Sequence, residues 1–168
     1  NVNMDEAIRR IDRLIARRAP SIVVTPNVDH LVRIRSDRSY ANLVGRSDLV
    51  LVDGQPVVWA SRLLGTPLKE RVAGSDLTPR LCEHAAEFGY RVFFLGGASG
   101  TAEAAKEVLL EQHPDLQIVG VHCPPFGFEN DPEQNRRIIR AIREAKPDIV
   151  LVGLGSPKQE HWIDDHMH

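Results

Sequence analysis

Five short apolar runs, each separated from the next by a stretch of helical periodicity, constrain this chain most. Residues 21–25 (SIVVT), 48–52 (DLVLV), 91–95 (RVFFL), 116–121 (LQIVGV) and 148–152 (DIVLV) are dominated by β-branched and aliphatic side chains. They lack the apolar–polar alternation of a strand wetted on one face, which points to strands buried on both faces in a parallel sheet. The segments between them carry helix signals. Asn3-Met4-Asp5-Glu6 has the form of a capping box, Ala7, Ile8, Ile11, Leu14 and Ile15 follow at helical spacing, and Pro20 is a stop. Asn27 or Asp29 can cap a helix from Val28 to about Ser36. Pro56 occupies an allowed first-turn position in a helix over residues 55–64. Gly89 closes a helix from about Ser75 to Phe88. An alanine-rich helix follows Gly100, reaching about Gln112. Asp131-Pro132-Glu133-Gln134 opens a helix to about Ala145, and a last helix begins at Pro157 with Ser156 as N-cap and Gln159 at the third helical position. The pattern predicts an α/β fold: a Rossmann-like, mostly parallel sheet with helices on both faces. No repeat, low-complexity tract or linker interrupts the 168 residues, so a single domain over 1–168 is expected.

Composition removes several classes of function. Twenty-one basic residues face 23 acidic ones, and aromatics make up 5%, so neither a polyanion-binding charge nor a base-stacking surface for nucleic acid is predicted. No signal peptide is visible, and no apolar run approaches the roughly 20 residues of a membrane span. A cytoplasmic protein is expected, one that can still lie on a membrane surface. Cys82 and Cys123 have neither CxxC spacing nor a histidine at a zinc-like interval, and read as buried thiols in a reducing compartment. His161 and Asp165 share a helix face at i and i+4, but without further ligand spacing residues 161–168 read as a terminal polar helix face. No metal site is predicted.

In open parallel sheets, ligands bind beyond the carboxyl ends of the strands. The strand exits here are Thr25-Pro26-Asn27, Asp53-Gly54, Gly96-Gly97-Ala98-Ser99-Gly100, and Gly153-Leu154-Gly155-Ser156-Pro157-Lys158-Gln159, all small or polar. Gly96, Gly97 and Gly100 precede a helix N-terminus and can cradle a phosphate. Their spacing is GGxxG, neither GxGxxG nor GxxxxGK[ST], and a tight turn that needs glycine for packing explains it equally. Asp53 can act as a general base on a hydroxyl nucleophile, or as an N-cap or Asx turn for the next helix. Lys158 can place a cation near a diphosphate, or be a solvated surface lysine. There is no Asp-x-Asp element of the kind that holds a metal-bound diphosphate in many sugar transferases. Metal-independent chemistry is therefore expected, with charge held by helix ends and cationic side chains.

Taken in order, TPNVDHL (25–31), LVDGQPVVWASRLLG (51–65), ERVAGSDL (70–77), RVFFLGG (91–97), PPFGF (124–128) and PDIVLVGLGSPKQEHWI (147–163) resemble the WecG/TagA/CpsF family, glycosyltransferase family 26, across nearly the whole chain. The resemblance implies an inverting glycosyltransferase. It would move a sugar (N-acetylmannosamine-type, a uronic acid or another hexose) from a UDP-sugar to an undecaprenyl-diphosphate-linked acceptor, in surface polysaccharide or teichoic acid synthesis. The UDP-sugar is a donor substrate, and no cofactor is implied. Asp53 becomes the catalytic base, with Thr25 and Asn27 lining the same pocket. Gln159 and its neighbours Pro157, Lys158 and Glu160 join the nucleotide-sugar site, with the strand-exit glycines Gly96, Gly97, Gly100, Gly153 and Gly155 beside them. Arg71, Gly74 and Asp76 shape the pocket or contact the sugar.

Family members usually continue for several dozen basic and apolar residues beyond the PKQE helix. By the same resemblance that tail reaches the membrane and completes the site with arginine. The expectation for this chain is a form that lacks the tail and exposes apolar surface favouring homo-oligomers, with the longer form held peripherally at the inner face of the plasma membrane. Two competing readings stand beside this one. A dinucleotide-dependent oxidoreductase is disfavoured by the missing GxGxxG and ribose-binding acid. The other is a non-catalytic nucleotide-sugar-binding module.

Overall fold

The computed structural model describes residues 1–166. They form two compact units, residues 1–78 with 163–166, and residues 79–162.

The first unit opens with α1 (Met4–Ala16), whose capping box between Asn3 and Glu6 forms as expected and which buries Ala7, Ile8, Ile11 and Leu14. Next come β1 (Val23–Val24), α2 (Val28–Ser36), α3 (Arg38–Arg46), β2 (Leu49–Val50) and α4 (Gln55–Leu63). β1 and β2 pair in parallel, with Val23 opposite Leu49. The regular pairing is shorter than the apolar runs suggest, but parallel bonding extends beyond it: Leu49 N–H donates to Ile22 O, Leu51 N–H to Val24 O and Asp53 N–H to Pro26 O. Ile22, Val24, Tyr40 and Val44 form a core cluster against which Ile34 and Ile163 pack. Tyr40 and Val44 come from α3, a helix absent from the sequence-based expectation and capped by Asp37, whose side chain accepts the Tyr40 N–H at 3.0 Å.

α5 (Gly74–Phe88) leads into the second unit, which holds β3 (Arg91–Gly96), α6 (Thr101–Gln112), β4 (Gln117–His122), α7 (Pro132–Ala145), β5 (Ile149–Gly153) and the start of α8 (Lys158–His166), as far as Trp162. The strands lie in the order β4-β3-β5, all parallel. This confirms the α/β class and the parallel pairing, with the five strands divided between two sheets. β3 is central and nearly fully buried, as its unbroken apolar run requires. The register slips by one residue between Val92 and Phe93, so Phe93 faces Gly120. A Cβ on Gly120 would lie 2.3 Å from the Phe93 ring, so the glycine makes room for the aromatic. Between β4 and α7 a 3-10 turn, Phe128–Asn130, follows the PPFGF loop.

Candidate functional site

In the first unit the exits of β1 and β2 bring together most of the residues singled out there. Asp53 follows the strand run, and its backbone is held by the Pro26 carbonyl at 3.0 Å. Its side chain does not cap α4: the N-cap is Gly54, with no side-chain cap bond, which removes the capping reading of Asp53. The Asp53 carboxylate instead faces Arg71, with Oδ1 3.6 Å from Nη1, and Oδ2 accepts the Gly74 N–H at 3.4 Å. Arg71 is shared, since its Nη2 also donates to Asp76. Gly74 lies beside Thr25, whose Oγ1 would be 3.2 Å from a Cβ there. Thr25, Asp53, Arg71, Gly74 and Asp76 are thus one cluster. The Asp53 side chain is about a third exposed, so it is both held and reachable.

The loop that carries Arg71 is pinned from two sides. Val72 N–H donates to Val52 O, continuing the strand-exit bonding. The side chain of Asn1 brackets the loop, donating to Pro67 O and accepting from Lys69 N–H, while Lys69 Nζ pairs with Glu6 at 2.7 Å. Lys69 bonds the Glu6 carboxyl and so holds its pKa below the ordinary carboxylate value, with the Asn3 N–H assisting. Ser61, buried on α4, accepts Leu68 N–H through its hydroxyl oxygen and donates to Val58 O. Asn27 has a definite local duty: its Oδ1 accepts the N–H groups of Asp29 and His30, capping α2.

In the second unit three adjacent strand exits carry the remaining candidates. At Gly96, φ is +109°, and a Cβ would fall 2.4 Å from the Gly153 carbonyl oxygen, so this glycine is required by close backbone approach. Gly97 N–H donates to that same carbonyl at 2.9 Å. Gly97 and Gly100 also have positive φ, and Gly100 is the N-cap of α6 without any side-chain cap bond. The packing explanation therefore accounts for Gly96. Gly100 leaves the start of α6 uncrowded, with nothing within 4 Å of its Cβ position. Cys123 reaches into this turn, its thiol 3.3 Å from the Gly96 carbonyl, and it also takes a backbone bond from Ala102 in the first turn of α6. Cys123 is half-buried rather than buried as expected, whereas Cys82 is fully enclosed and both thiols are free. Burial pushes both thiols up in pKa, Cys82 to about 11, and Glu103 adds to the rise at Cys123.

Gly155 has φ of +83° and open space around its Cβ position. α8 begins at Lys158, later than Ser156 as N-cap would require. Gln159 reaches back to Gly155 instead of Ser156, its Oε1 accepting that N–H at 3.2 Å, while its Nε2 donates to Glu160 at 3.0 Å. Glu160 is buried. Lys158 is not a solvated surface lysine: its ammonium sits 3.5 Å from Glu129 and 5.5 Å from the ring centroids of both Phe126 and Phe128.

Some functional groupings could not be read from the sequence. Asn135 donates through Nδ2 to the carbonyls of Phe128, Glu129 and Asp131, and accepts Trp162 Nε1–H at 2.7 Å, tying the PPFGF loop to α8. A lone asparagine on a polar helix face carries no pattern that announces this. His122, the last residue of β4, has Nε2 buried without a hydrogen-bond partner. The expected polar face of residues 161–168 is described as far as His166, where Arg46 pairs with Asp164 at 2.8 Å; Met167 and His168 lie outside the described residues. Among the described residues, no group of three or more His, Cys, Asp or Glu gathers as metal ligands. None of the described helices is long and apolar enough to cross a membrane.

Parallel strands whose carboxyl ends carry a carboxylate–arginine cluster in one unit and a glycine turn in the other define an α/β protein. The model of the WecG/TagA/CpsF glycosyl transferase family matches residues 1–168, and the chain belongs to that family. Among curated relatives, the N-acetylglucosaminyldiphosphoundecaprenol N-acetyl-beta-D-mannosaminyltransferases of Staphylococcus aureus strain COL and strain MRSA252 are each 28% identical over 168 residues. The match covers 99% of this chain and 64% of each relative's length, so the chain spans a little under two thirds of these proteins.

Proposed function

We propose that this chain serves an inverting glycosyl transfer from a UDP-sugar to a sugar on an undecaprenyl-diphosphate carrier. Asp53 carries the reading: a partly exposed carboxylate at a strand exit, released from capping duty and oriented by Arg71 and the Gly74 N–H. The relatives' names support the class of acceptor. In the proposed step, Asp53 takes the proton of the acceptor hydroxyl as its oxygen bonds to the anomeric carbon. The bond from that carbon to the diphosphate breaks on the opposite face, and UDP departs with the electron pair. Thr25 and Asn27 line the acceptor side. Gly100 and Lys158, with the Gln159–Glu160 pair, serve the nucleotide-sugar at the turn that Gly97 shapes, where the N-terminus of α6 and a cation offset charge on the leaving diphosphate without a metal. The carrier sets the place of action, the inner face of the plasma membrane, and an N-acetylmannosamine-type sugar is the leading donor. Exposed Trp59, Leu63 and Leu64 are compatible with self-association.

Calorimetry with UDP and with NAD, each with and without magnesium, tests this. UDP binding that ignores magnesium is expected. NAD binding in its place would return the oxidoreductase reading. If UDP-sugar binds but no sugar reaches a lipid-diphosphate acceptor, only a binding module remains.

A further inference from the structure

Asn27 stands at the site with one end of its amide already engaged, and His30 is what engages it most closely. Oδ1 of Asn27 accepts the N–H groups of Asp29 at 3.0 Å and His30 at 3.2 Å. The His30 ring closes on the same residue: Nδ1 lies 3.1 Å from the Asn27 N–H nitrogen and closer still to Oδ1. Two lone pairs would repel at so short an approach, so it calls for a proton on Nδ1, donated to Oδ1. Behind the imidazole lies Tyr40, a core residue 1% exposed, whose ring stacks on it with centroids 6.1 Å apart. Held at Oδ1 by three groups, the Asn27 amide has its Nδ2 hydrogens left to offer a bound molecule, and among the described residues nothing takes them. Asn27 itself adjoins the carboxylate. Pro26 O accepts the Asp53 N–H at 3.0 Å, and a Cβ on Gly54 would lie 3.9 Å from the Asn27 Cα.

We infer that His30 is a positioning residue: by holding Oδ1 it fixes the amide of Asn27 so that Nδ2 donates to an oxygen of the acceptor sugar beside Asp53. The inference rests on the proposed reading of this unit as the acceptor side. A helix cap alone does not account for the histidine. The third helical position of a capping box is ordinarily Glu or Gln, whose side chain accepts the N-cap N–H. Glu would do that here as well as His30 does, and its charge would suit the N-terminus of α2. What Glu lacks is a hydrogen to give Oδ1, and it would set a carboxylate against that oxygen. Gln carries both an acceptor and a donor, as His does, and Phe carries neither. The three substitutions therefore separate the cap from the grip on the Asn27 side chain.

Three measurements on wild type, His30→Glu, His30→Gln and His30→Phe read the inference. They are urea unfolding, NMR of the Asn27 side-chain amide, and steady-state kinetics with UDP-N-acetylmannosamine and N-acetylglucosaminyl-diphosphoundecaprenol. In His30→Glu the unfolding midpoint should hold or rise while KM for the acceptor rises about tenfold, the worth of one hydrogen bond, and KM for the donor stays in place. The Asn27 amide should lose its order in the same variant. His30→Gln should restore both the acceptor KM and the amide order, and His30→Phe should lose stability together with acceptor affinity. Suppose instead that acceptor KM follows the midpoint, normal in His30→Glu and raised in His30→Phe. His30 then completes a cap and nothing more, and the proposed function stands without it. An Asn27 amide as ordered in His30→Glu as in wild type, no rescue by His30→Gln, or an equal rise in donor KM would also overturn the inference. A wild-type chain that transfers no sugar would remove the proposed function and the part of Asn27 in it, and the amide order across the variants would still decide whether His30 holds Asn27.

Discussion

Two strands in this chain are near copies, DLVLV at residues 48–52 and DIVLV at 148–152, and both begin in the same way. Asp48 Oδ2 accepts the Ile22 N–H at 3.0 Å, and Asp148 Oδ2 accepts the Arg91 N–H at 2.9 Å, so each aspartate anchors the start of the neighbouring strand. Their exits diverge. The first delivers Asp53, a side chain held by Arg71 and the Gly74 N–H. The second delivers Gly153, a backbone carbonyl against which Gly96 packs so closely that no Cβ fits. One exit is made of charge and the other of backbone shape. The first should therefore fail in chemistry when altered, and the second in folding.

The largest expected effect comes from Asp53→Asn. Asparagine keeps the shape and removes the proton acceptor, so turnover should drop by about 10²–10⁴, the usual contribution of a general base. UDP affinity and the urea unfolding midpoint should barely move, since partly exposed ion pairs are worth about 0–1 kcal/mol. Steady-state kinetics beside unfolding curves would show the split. Retained turnover would end the assignment of Asp53 as base. A large loss of stability with it would mean that both exits are structural, and the comparison would collapse.

Gly96→Ala should do the opposite. A methyl group 2.4 Å from a backbone oxygen, on a residue with φ of +109°, forces the β3 and β5 exits apart. Overpacking and backbone strain together suggest a cost of about 3 kcal/mol. Chemical denaturation should show it as a lowered midpoint. Gly100→Ala, with open space at its Cβ and only its φ of +83° against it, should cost less. Equal effects at the two positions would refute close approach as the reason for Gly96.

How much of this was legible differs between the two regions for a physical reason. The apolar runs announced every strand, because a strand buried on both faces needs an unbroken stretch of apolar residues. Gly96 and Asp53 were conspicuous by position, but sequence left two explanations open at each. Only coordinates resolved them, through the Gly153 carbonyl in one case and the Gly54 cap in the other. α3 escaped notice because it buries only Tyr40, Leu43 and Val44 in a polar stretch containing Gly45, although Asp37 was a fair N-cap signal. Arg71 beside Asp53, and Lys158 beside Phe126, pair residues 18 and 32 positions apart, and no local periodicity encodes such meetings.

Trp162→Phe probes the clamp that steadies the second unit's exits. It keeps an aromatic ring near Phe128 but removes the indole N–H that Asn135 accepts. One hydrogen bond lost with its acceptor left partly buried should cost about 1–2 kcal/mol. Faster amide exchange over the 3-10 turn would accompany it. An unchanged exchange rate would mean that Asn135's carbonyl contacts suffice to hold the loop.

The smallest effects concern pH, and they fall at its two ends. In the second unit, burial raises Cys82 from 9.0 to about 11. The folded thiol keeps its proton where the unfolded one has lost it. This contribution to stability is intact below pH 9 and is lost as the pH climbs toward 11, amounting to about 1 kcal/mol at pH 10. In the first unit, Glu6 is shifted the other way by Lys69, so its contribution is present above the ordinary value of 4.5 and fades as the pH falls through the lowered one. Glu133 moves in the same direction in the second unit, but its partners Arg136 and Arg137 lie on its own helix, so protonation there loosens one turn. Protonating Glu6 removes its ion pair with Lys69, one of the ties on the loop that carries Arg71. The gap between the unfolding midpoints of wild type and Cys82→Ala should therefore stay constant below pH 9 and change above it, with the variant's alkaline limb flatter. Lys69→Met should flatten the acid limb of turnover more than that of stability. If Lys69→Met instead leaves turnover at low pH unaltered, the loop positions Arg71 without help from Glu6, and the charge-built exit is more self-sufficient than its contacts suggest.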